Sequence, residues 1–304
     1  MIIEMPSTTT NDVNKRLVKL RDEGGAVALG RVLTLVIDVG DHGVEEAIEA
    51  ANSASREHPC RVIVIAPNDV RETNELDAQI RIGGDAGASE VIVLHPSGEL
   101  RAHGDTLVIP LLLPDAPIVA WWPFEPPVNP AADPIGRMAQ RRITDSTKCT
   151  ESVKTLHRLS TVYTPGDTDL AWTRITLWRG LLAAALDQPP YEPVTRAVVA
   201  GEGTHPSADL IAAWLAQELR CPVEIERQVD VPAITLVRLE RKSGAIVLGR
   251  PDGKTAALRQ PGQPAHRIAL PVRQLSECLA EELRRLDADE VYADVLTKGL
   301  ARLG

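Results

Sequence analysis

Two apolar, β-branched runs, VLTLVIDV at 32–39 and RVIVIAP at 61–67, flank a segment in which Val44, Ala47, Ile48 and Ala51 recur at helical spacing. A strand, a helix and a strand within this length predict a right-handed parallel crossover, because parallel neighbours need a connection that can return over a sheet face. Further strands are predicted at 75–82 (ELDAQIRI), 90–94 (EVIVL) and 117–121 (PIVAW), with a last one near RRITD at 141–145. Their near-continuous apolar character fits strands covered on both faces. The fold class is therefore α/β, with a doubly wound, mostly parallel sheet. Before the first strand, Val13, Leu17 and Leu20 mark a helix from about Asn11, capped by a Ser/Thr/Asn run and ended by Gly24 and Gly25. In LVIPLLLPDAP at 107–117 the prolines break both a long helix and a central strand, which leaves a short buried helix or a turn.

At 304 residues the chain exceeds one compact core, and two domains are expected. The sharpest break is TPGD at 164–167, where Pro165 and Gly166 interrupt the pattern and Asp167 can cap a new helix. The expected division is a Rossmann-like α/β domain over 1–166 and a second α/β, α+β-like domain over 167–304, with a mixed sheet and terminal helices. The alternative break is PPYEP at 189–193, which leaves the helix from Asp167 to about Leu186 with the first domain. From 194 the pattern reads strand (VTRAVVAG), helix (Ala208 to Leu219), several short strands between 222 and 270, and a helix from Pro271 to Leu286. Asp287 with Glu290 forms a capping box for a final helix at 288–300.

The formal charge of -9 opposes a hold on phosphate backbones, which depends on clustered Lys and Arg, so nucleic acid is not an expected partner. The start, MIIEMPSTTTNDVNK, lacks the basic and then apolar order of a signal peptide, and no later stretch is an uninterrupted membrane span. The expectation is a cytoplasmic protein without a membrane partner. Cys60, Cys149, Cys221 and Cys278 are scattered singly, and the seven histidines never take ligand-pair spacing, so no metal site is assigned. Cys278 shares a helical face with Val272, Leu275, Leu279, Leu283 and Leu286, where a thiol acts as a small hydrophobe.

Gly25 to Val32 has the glycine spacing of a P-loop but lacks its Lys and Ser/Thr. It also follows a helix and precedes a strand, the reverse of the order that aims helix amides at an anion. Gly83-Gly84-Asp85-Ala86-Gly87 follows a predicted strand without the G-x-G-x-x-G spacing, and reads as a turn. The acidic pairs Glu45-Glu46, Glu281-Glu282 and Asp287 with Asp289 read as solvated helix faces or caps, and no G-x-S-x-G elbow marks a nucleophile. No catalytic, cofactor-binding or metal-ligating residue is assigned.

Aromatic residues make up only 3% of the chain, so the gathering of Trp121, Trp122, Trp172 and Trp178 in two motifs stands out. In LLLPDAPIVAWWP, Trp121 and Trp122 end a predicted strand and must point to opposite sides; one fills the core while the other reaches the carboxyl-end crevice. In DTDLAWTRITLWR, Ala171, Ile175, Trp178 and Leu182 form a core stripe, flanked by Trp172, Arg174 and Arg179. Trp and Arg are the usual anchors of protein interfaces, which makes Trp121, Trp122, Trp172, Arg174 and Arg179 the candidate partner contacts. A core role for Trp172 stands beside that reading.

These motifs, with RRITDS and the closing ECLAEELRRLDADEVY, resemble the actinobacterial branch of the OpcA family, from GAVALGRVLTLVI at 25–37 to about Tyr292. The resemblance implies a non-catalytic assembly factor and allosteric activator of glucose-6-phosphate dehydrogenase, which feeds the oxidative pentose phosphate pathway. It implies no cofactor and carries over no catalytic residue. The redox control associated with cyanobacterial relatives finds no evident regulatory cysteine pair here. The rival class is a nucleotide- or sugar-phosphate-binding α/β enzyme or sensor, acting at the carboxyl ends of the first-domain strands.

Overall fold

A computed structural model describes residues 1–23, 32–68, 73–82 and 90–303. The predicted helix stop at Gly24 and Gly25, the glycine run from Gly25 and the turn at 83–87 lie outside the described residues. The chain forms two compact units that interleave in sequence. One comprises Met1–Asp145, Gly166–Thr168 and Leu275–Ala288; the other comprises Ser146–Pro165, Asp169–Gln274 and Asp289–Gly304.

The first unit is built on the strands β1 (Ile2–Met5), β2 (Leu33–Asp38), β3 (Cys60–Ile65), β4 (Leu76–Arg81), β5 (Glu90–Pro96), β6 (Ile118–Trp122), β7 (Arg141–Thr144) and β8 (Asp167–Asp169). They form one sheet in the order β1-β4-β5-β3-β2-β6-β7-β8. The pairs β2/β3, β3/β5, β2/β6 and β6/β7 are parallel, so the chain winds outward from β2 through β3 and β5, then returns to wind the other way through β6 and β7. This is the expected doubly wound arrangement, and β2 and β3 are buried almost throughout. Arg61 and Glu90 are register partners on β3 and β5 and form a buried ion pair at 2.9 Å. A slip in that pairing would leave two desolvated charges without partners.

β4 corrects the sequence reading. It is antiparallel to β5, and its residues alternate between buried and half-buried because Asp77, Gln79 and Arg81 face away from the apolar Leu76, Ala78 and Ile80. β1, which the sequence pattern did not announce, pairs antiparallel with β4 and sets Ile3 opposite Ile80. The helix α1 (Thr10–Glu23) buries Val13 and Leu17 in the cluster that also holds Ile80, Ile92 and Trp122. The proline-broken segment after β5 becomes α3 (Gly104–Val108) and a 3-10 turn over Ile109–Leu111, as expected. α2 (Val44–Ser55) packs against α9 (Leu275–Arg284), whose Cys278, Leu279 and Leu283 are buried as the helical face predicted. α9 begins four residues later than the sequence pattern suggested, because Val272 N is engaged with Gly253 O at 2.9 Å in extended chain.

The second unit holds β9 (Arg196–Glu202), α8 (Pro206–Leu219), β10 (Val223–Gln228), β11 (Ile234–Glu240), β12 (Ile246–Gly249), β13 (Thr255–Arg259) and β14 (His266–Ala269). The sheet order is β10-β9-β11-β12-β13-β14. β9 and β10 are parallel across α8, and the remaining pairs are antiparallel, which gives the expected mixed sheet. Its core gathers Trp172, Trp178, Leu210, Val237, Leu248 and Val295. Also here are α5 (Ser152–Val162), which sequence reading did not assign, and α6 (Leu170–Arg174), α7 (Thr176–Leu186) and α10 (Glu290–Asp294). The helix expected from Asp167 is thus shorter and divided. Residues 167–169 add β8 to the first sheet, Asp169 rather than Asp167 is the cap, and Ile175 separates α6 from α7. Likewise α10 is capped by Asp289, not Asp287, through Tyr292 N at 2.9 Å.

Among the described residues no helix is long and apolar enough to cross a membrane. One close approach shows how tightly the first unit is closed. A Cβ on Gly136, in α4 (Pro134–Met138), would lie 1.7 Å from Pro130 O and 3.2 Å from the Trp122 ring. Gly136→Ala is therefore expected to destabilise the protein by about 1–3 kcal/mol or more through overpacking; urea denaturation followed by circular dichroism checks it.

Candidate partner-facing surface

In doubly wound sheets ligands sit beyond the carboxyl ends of the strands where the order reverses, here between β2 and β6. β2 ends at Asp38 and is followed by Val39-Gly40-Asp41-His42-Gly43, which leads into α2. The chain's single phenylalanine, Phe124, follows β6 and lies over this turn. A Cβ on Gly43 would come within 2.0 Å of Phe124 Cζ, and the His42 ring stacks at an angle on Phe124 with centroids 4.7 Å apart. The ring thus occupies the approach to the α2 amino terminus, where helix amides would otherwise meet an anion.

Two carboxylates, Asp38 and Asp41, belong to this turn, and Arg101 pairs with Asp41 at 3.9 Å. Asp38 is half-buried, and Gly40 N donates to its Oδ1 at 3.2 Å. Burial raises its carboxyl above the ordinary range against the lowering effect of the Gly40 hydrogen bond, and Asp133 and Asp41 push it further up. Asp133 is itself fixed as the α4 cap, accepting from Ile135 N at 2.9 Å and Gly136 N at 3.3 Å. A phosphate here would have to displace the ring and lie beside Asp38 and the Asp41–Arg101 pair.

Trp121 and Trp122 require a correction. Strand alternation does send them to opposite faces, yet they are only 0% and 2% exposed, so neither reaches the crevice. Trp122 joins the cluster containing Val36, Ala120 and Ile135.

In the second unit, the wholly buried Asp169 accepts from Ala171 N at 2.8 Å, Ser146 N at 3.0 Å and Ser146 Oγ at 2.8 Å. That cap fixes the first turn of α6 and with it Trp172. The Trp172 Nε1 donates to Asp289 Oδ2 at 2.8 Å, while Asp289 Oδ1 accepts from Tyr292 N. The Tyr292 ring lies 5.8 Å from the indole, and the Arg179 guanidinium sits 3.6 Å above its ring centroid. Trp172 is 1% exposed, so of its two readings the core role describes its place. Its cation partner Arg179 is half-buried. Trp178 is core, as its stripe predicted.

Arg174 is half-buried and lines a small cavity of about 20 Å³ together with Trp178, His205, Arg250 and Arg273. Arg273 donates to Thr173 O at 2.8 Å. Arg250 is buried and donates to Leu270 O at 3.0 Å and Ile234 O at 2.9 Å; burial pushes its pKa down, opposed by Asp252. Three arginines, Arg174, Arg250 and Arg273, thus converge on this cavity beside the Trp178 ring, and the His205 Nδ1 accepts from Ser207 N at 3.3 Å. Sequence reasoning missed Arg250 and Arg273, whose acceptors are backbone carbonyls, and did not single out Asp169 as a cap, whereas Asp289 is a cap, as the reading of the Asp287 and Asp289 pair allowed.

All four cysteines are free thiols, three of them buried. Burial raises the pKa of the half-buried Cys221, which keeps it protonated. Among the described residues no three His, Cys, Asp or Glu side chains gather as a metal site would require.

Fold and surface together define a two-unit α/β protein in which Phe124 lies against the turn after β2 and several arginines gather around Trp172 and Trp178. Two family models match the chain, the glucose-6-phosphate dehydrogenase subunit N-terminal domain over residues 51–161 and the C-terminal domain over 165–296. The chain belongs to the OpcA family of glucose-6-phosphate dehydrogenase assembly proteins. It is similar to a putative OxPP cycle protein OpcA from Nostoc punctiforme, at 26% identity over 213 residues, which are 62% of this chain and 46% of that protein. It thus spans about half the length of that relative. Among solved structures, an oxidoreductase from Pseudomonas syringae matches 90% of this chain and 94% of its own at 10% identity and a TM-score of 0.43. A myo-inositol dehydrogenase from Lactobacillus casei matches 89% and 93% at 10% identity and a TM-score of 0.40.

The raised Asp38 carboxyl yields a signed expectation. A group that holds its proton more tightly folded than unfolded opposes folding as pH rises from its ordinary range through the folded value. Asp38→Asn, which keeps an acceptor for Gly40 N, should raise the melting temperature at neutral pH and lose that advantage in acid, below the ordinary carboxyl range. Thermal melts of both proteins across pH check this; a variant less stable at neutral pH would show that the charge is favourable.

Proposed function

We propose that this chain is a non-catalytic partner of glucose-6-phosphate dehydrogenase that assembles with it and activates it, in the cytoplasm and in support of the oxidative pentose phosphate pathway. The observation that carries this reading is the match of both halves of the chain to domains described as those of a glucose-6-phosphate dehydrogenase subunit. The Phe124 ring against the turn after β2 supports it, since it lies where such a sheet would hold a nucleotide. An activator must bind the active state of its partner more tightly than the inactive one. A tenfold gain requires only about 1.4 kcal/mol of such difference, within the reach of a few interface side chains.

The contact is proposed for Arg174 and Arg179, with Trp172 behind them as the buried ring that holds Arg179 in place. Trp121 and Trp122 are withdrawn from the contact because they are buried. Two substitutions separate support from contact. Trp178→Ala should empty a core site and cost roughly 3–5 kcal/mol of stability, whereas Arg174→Ala, at a half-buried position, should cost much less than that and weaken dehydrogenase binding by more than about 1 kcal/mol. Thermal melts beside binding titrations check both, and full affinity in a folded Arg174→Ala variant would move the contact elsewhere.

Kinetics test the function itself. The purified chain with glucose 6-phosphate and NADP should show no turnover, and its addition to the host's dehydrogenase should change kcat or KM in a saturable way. Turnover by the chain alone would contradict the non-catalytic reading, and unchanged kinetics would contradict activation.

A further inference from the structure

The sheet of the second unit has one face covered and one open. Val199, Val237, Leu248 and Ala256 point into the core, so strand alternation turns their neighbours to the other side. There a shallow concavity of about 660 Å³ opens over the sheet. The strand registers place six of its lining residues in a single row across all six strands: Glu226 opposite Ala200, Ala200 opposite Leu236, Leu236 opposite Gly249, Gly249 opposite Ala257, and Ala257 opposite Arg267.

That row is complementary to its own reversal. It runs acid, small, large, none, small, base. A two-fold axis lying along the strands between β11 and β12 would turn a second copy so that β10 faces β14, β9 faces β13 and β11 faces β12. Glu226 of each copy then meets Arg267 of the other, Ala200 meets Ala257, and the Leu236 side chain enters the gap left by Gly249. Glu226 and Arg267 are both exposed, and among the described residues neither forms an ion pair or side-chain hydrogen bond within the chain. The centre of the row, Leu236, Gly249 and Ala257, is half-buried and carries no charge. Within this row an uncharged middle lies between opposite charges at the two ends, as an isologous interface requires, and in the next row Arg238 of each copy would meet Val247 of the other and Arg259 would meet Val198. We propose that the open face of this sheet binds a second copy of the chain, as a two-fold dimer in which Glu226 and Arg267 form reciprocal ion pairs.

The test uses the full chain without the dehydrogenase, so it is independent of the proposed function. Sedimentation velocity over a dilution series should show a reversible monomer–dimer equilibrium. Glu226→Arg alone and Arg267→Glu alone each set like charges against each other, and each should raise the dissociation constant at least about tenfold. An equimolar mixture of the two variants restores opposite charges at both ends of the row, and should dimerise about as well as the unaltered chain. Both positions are exposed, and unchanged melting temperatures would confirm that each variant is folded. As a single change, Gly249→Val should also prevent association, because a Cβ there meets nothing nearer than Thr235 O at 4.0 Å within its own fold but would fill the gap for Leu236.

A chain that stays monomeric up to its solubility limit overturns the proposal. So does a dimer that tolerates both charge reversals, or a loss that the mixture does not recover. If the reversals leave self-association intact and abolish dehydrogenase binding instead, the face belongs to the dehydrogenase and the proposal is equally overturned.

Discussion

One buried carboxylate organises the second unit. Asp169 has no exposure, so its charge must be met by donors within the fold, and it collects Ala171 N, Ser146 N and Ser146 Oγ. Those bonds set where α6 begins and in which direction its first turn faces. Trp172 is thereby brought to Asp289, which accepts from the indole and from Tyr292 N at once and so fixes the start of α10. Arg179 then has a ring to lie on. The half-buried Arg179 is the last link of this chain of contacts, and each link depends on the one before it.

The first unit shows why a fold is a poor guide to function. Its strand order places a switch point between β2 and β6, the place where doubly wound sheets receive dinucleotides. Here the turn after β2 carries Asp38 and Asp41, and Gly43 makes room for the Phe124 ring rather than for a phosphate. The architecture is kept while Phe124 lies at the approach to the helix amides.

What could be read in the sequence was whatever depends on local period. β2, β3, β5 and β6 are short apolar runs buried on both sides, and they were legible; so were the core stripe through Trp178 and the buried face of α9. The errors arose where a partner distant in the chain decides. β4 has a strand's alternation, but its antiparallel place beside β5 follows from tertiary pairing. Asp167 looks like a helix cap and instead binds Arg142, leaving Asp169 to take that role. The WW of β6 predicts one buried and one accessible ring, yet both are buried, because alternation gives the direction of each side chain and says nothing about what covers it. Arg250 and Arg273 left no sequence signal at all, since their acceptors are backbone carbonyls.

The central claim is that this chain acts by binding glucose-6-phosphate dehydrogenase, and the most direct measurement is sedimentation velocity of the fluorescently labelled chain, titrated with the purified dehydrogenase of its host. The account predicts that the labelled boundary moves into a faster-sedimenting complex and saturates at a fixed molar ratio. A boundary that stays at the position of the chain alone through a large excess of dehydrogenase would contradict it.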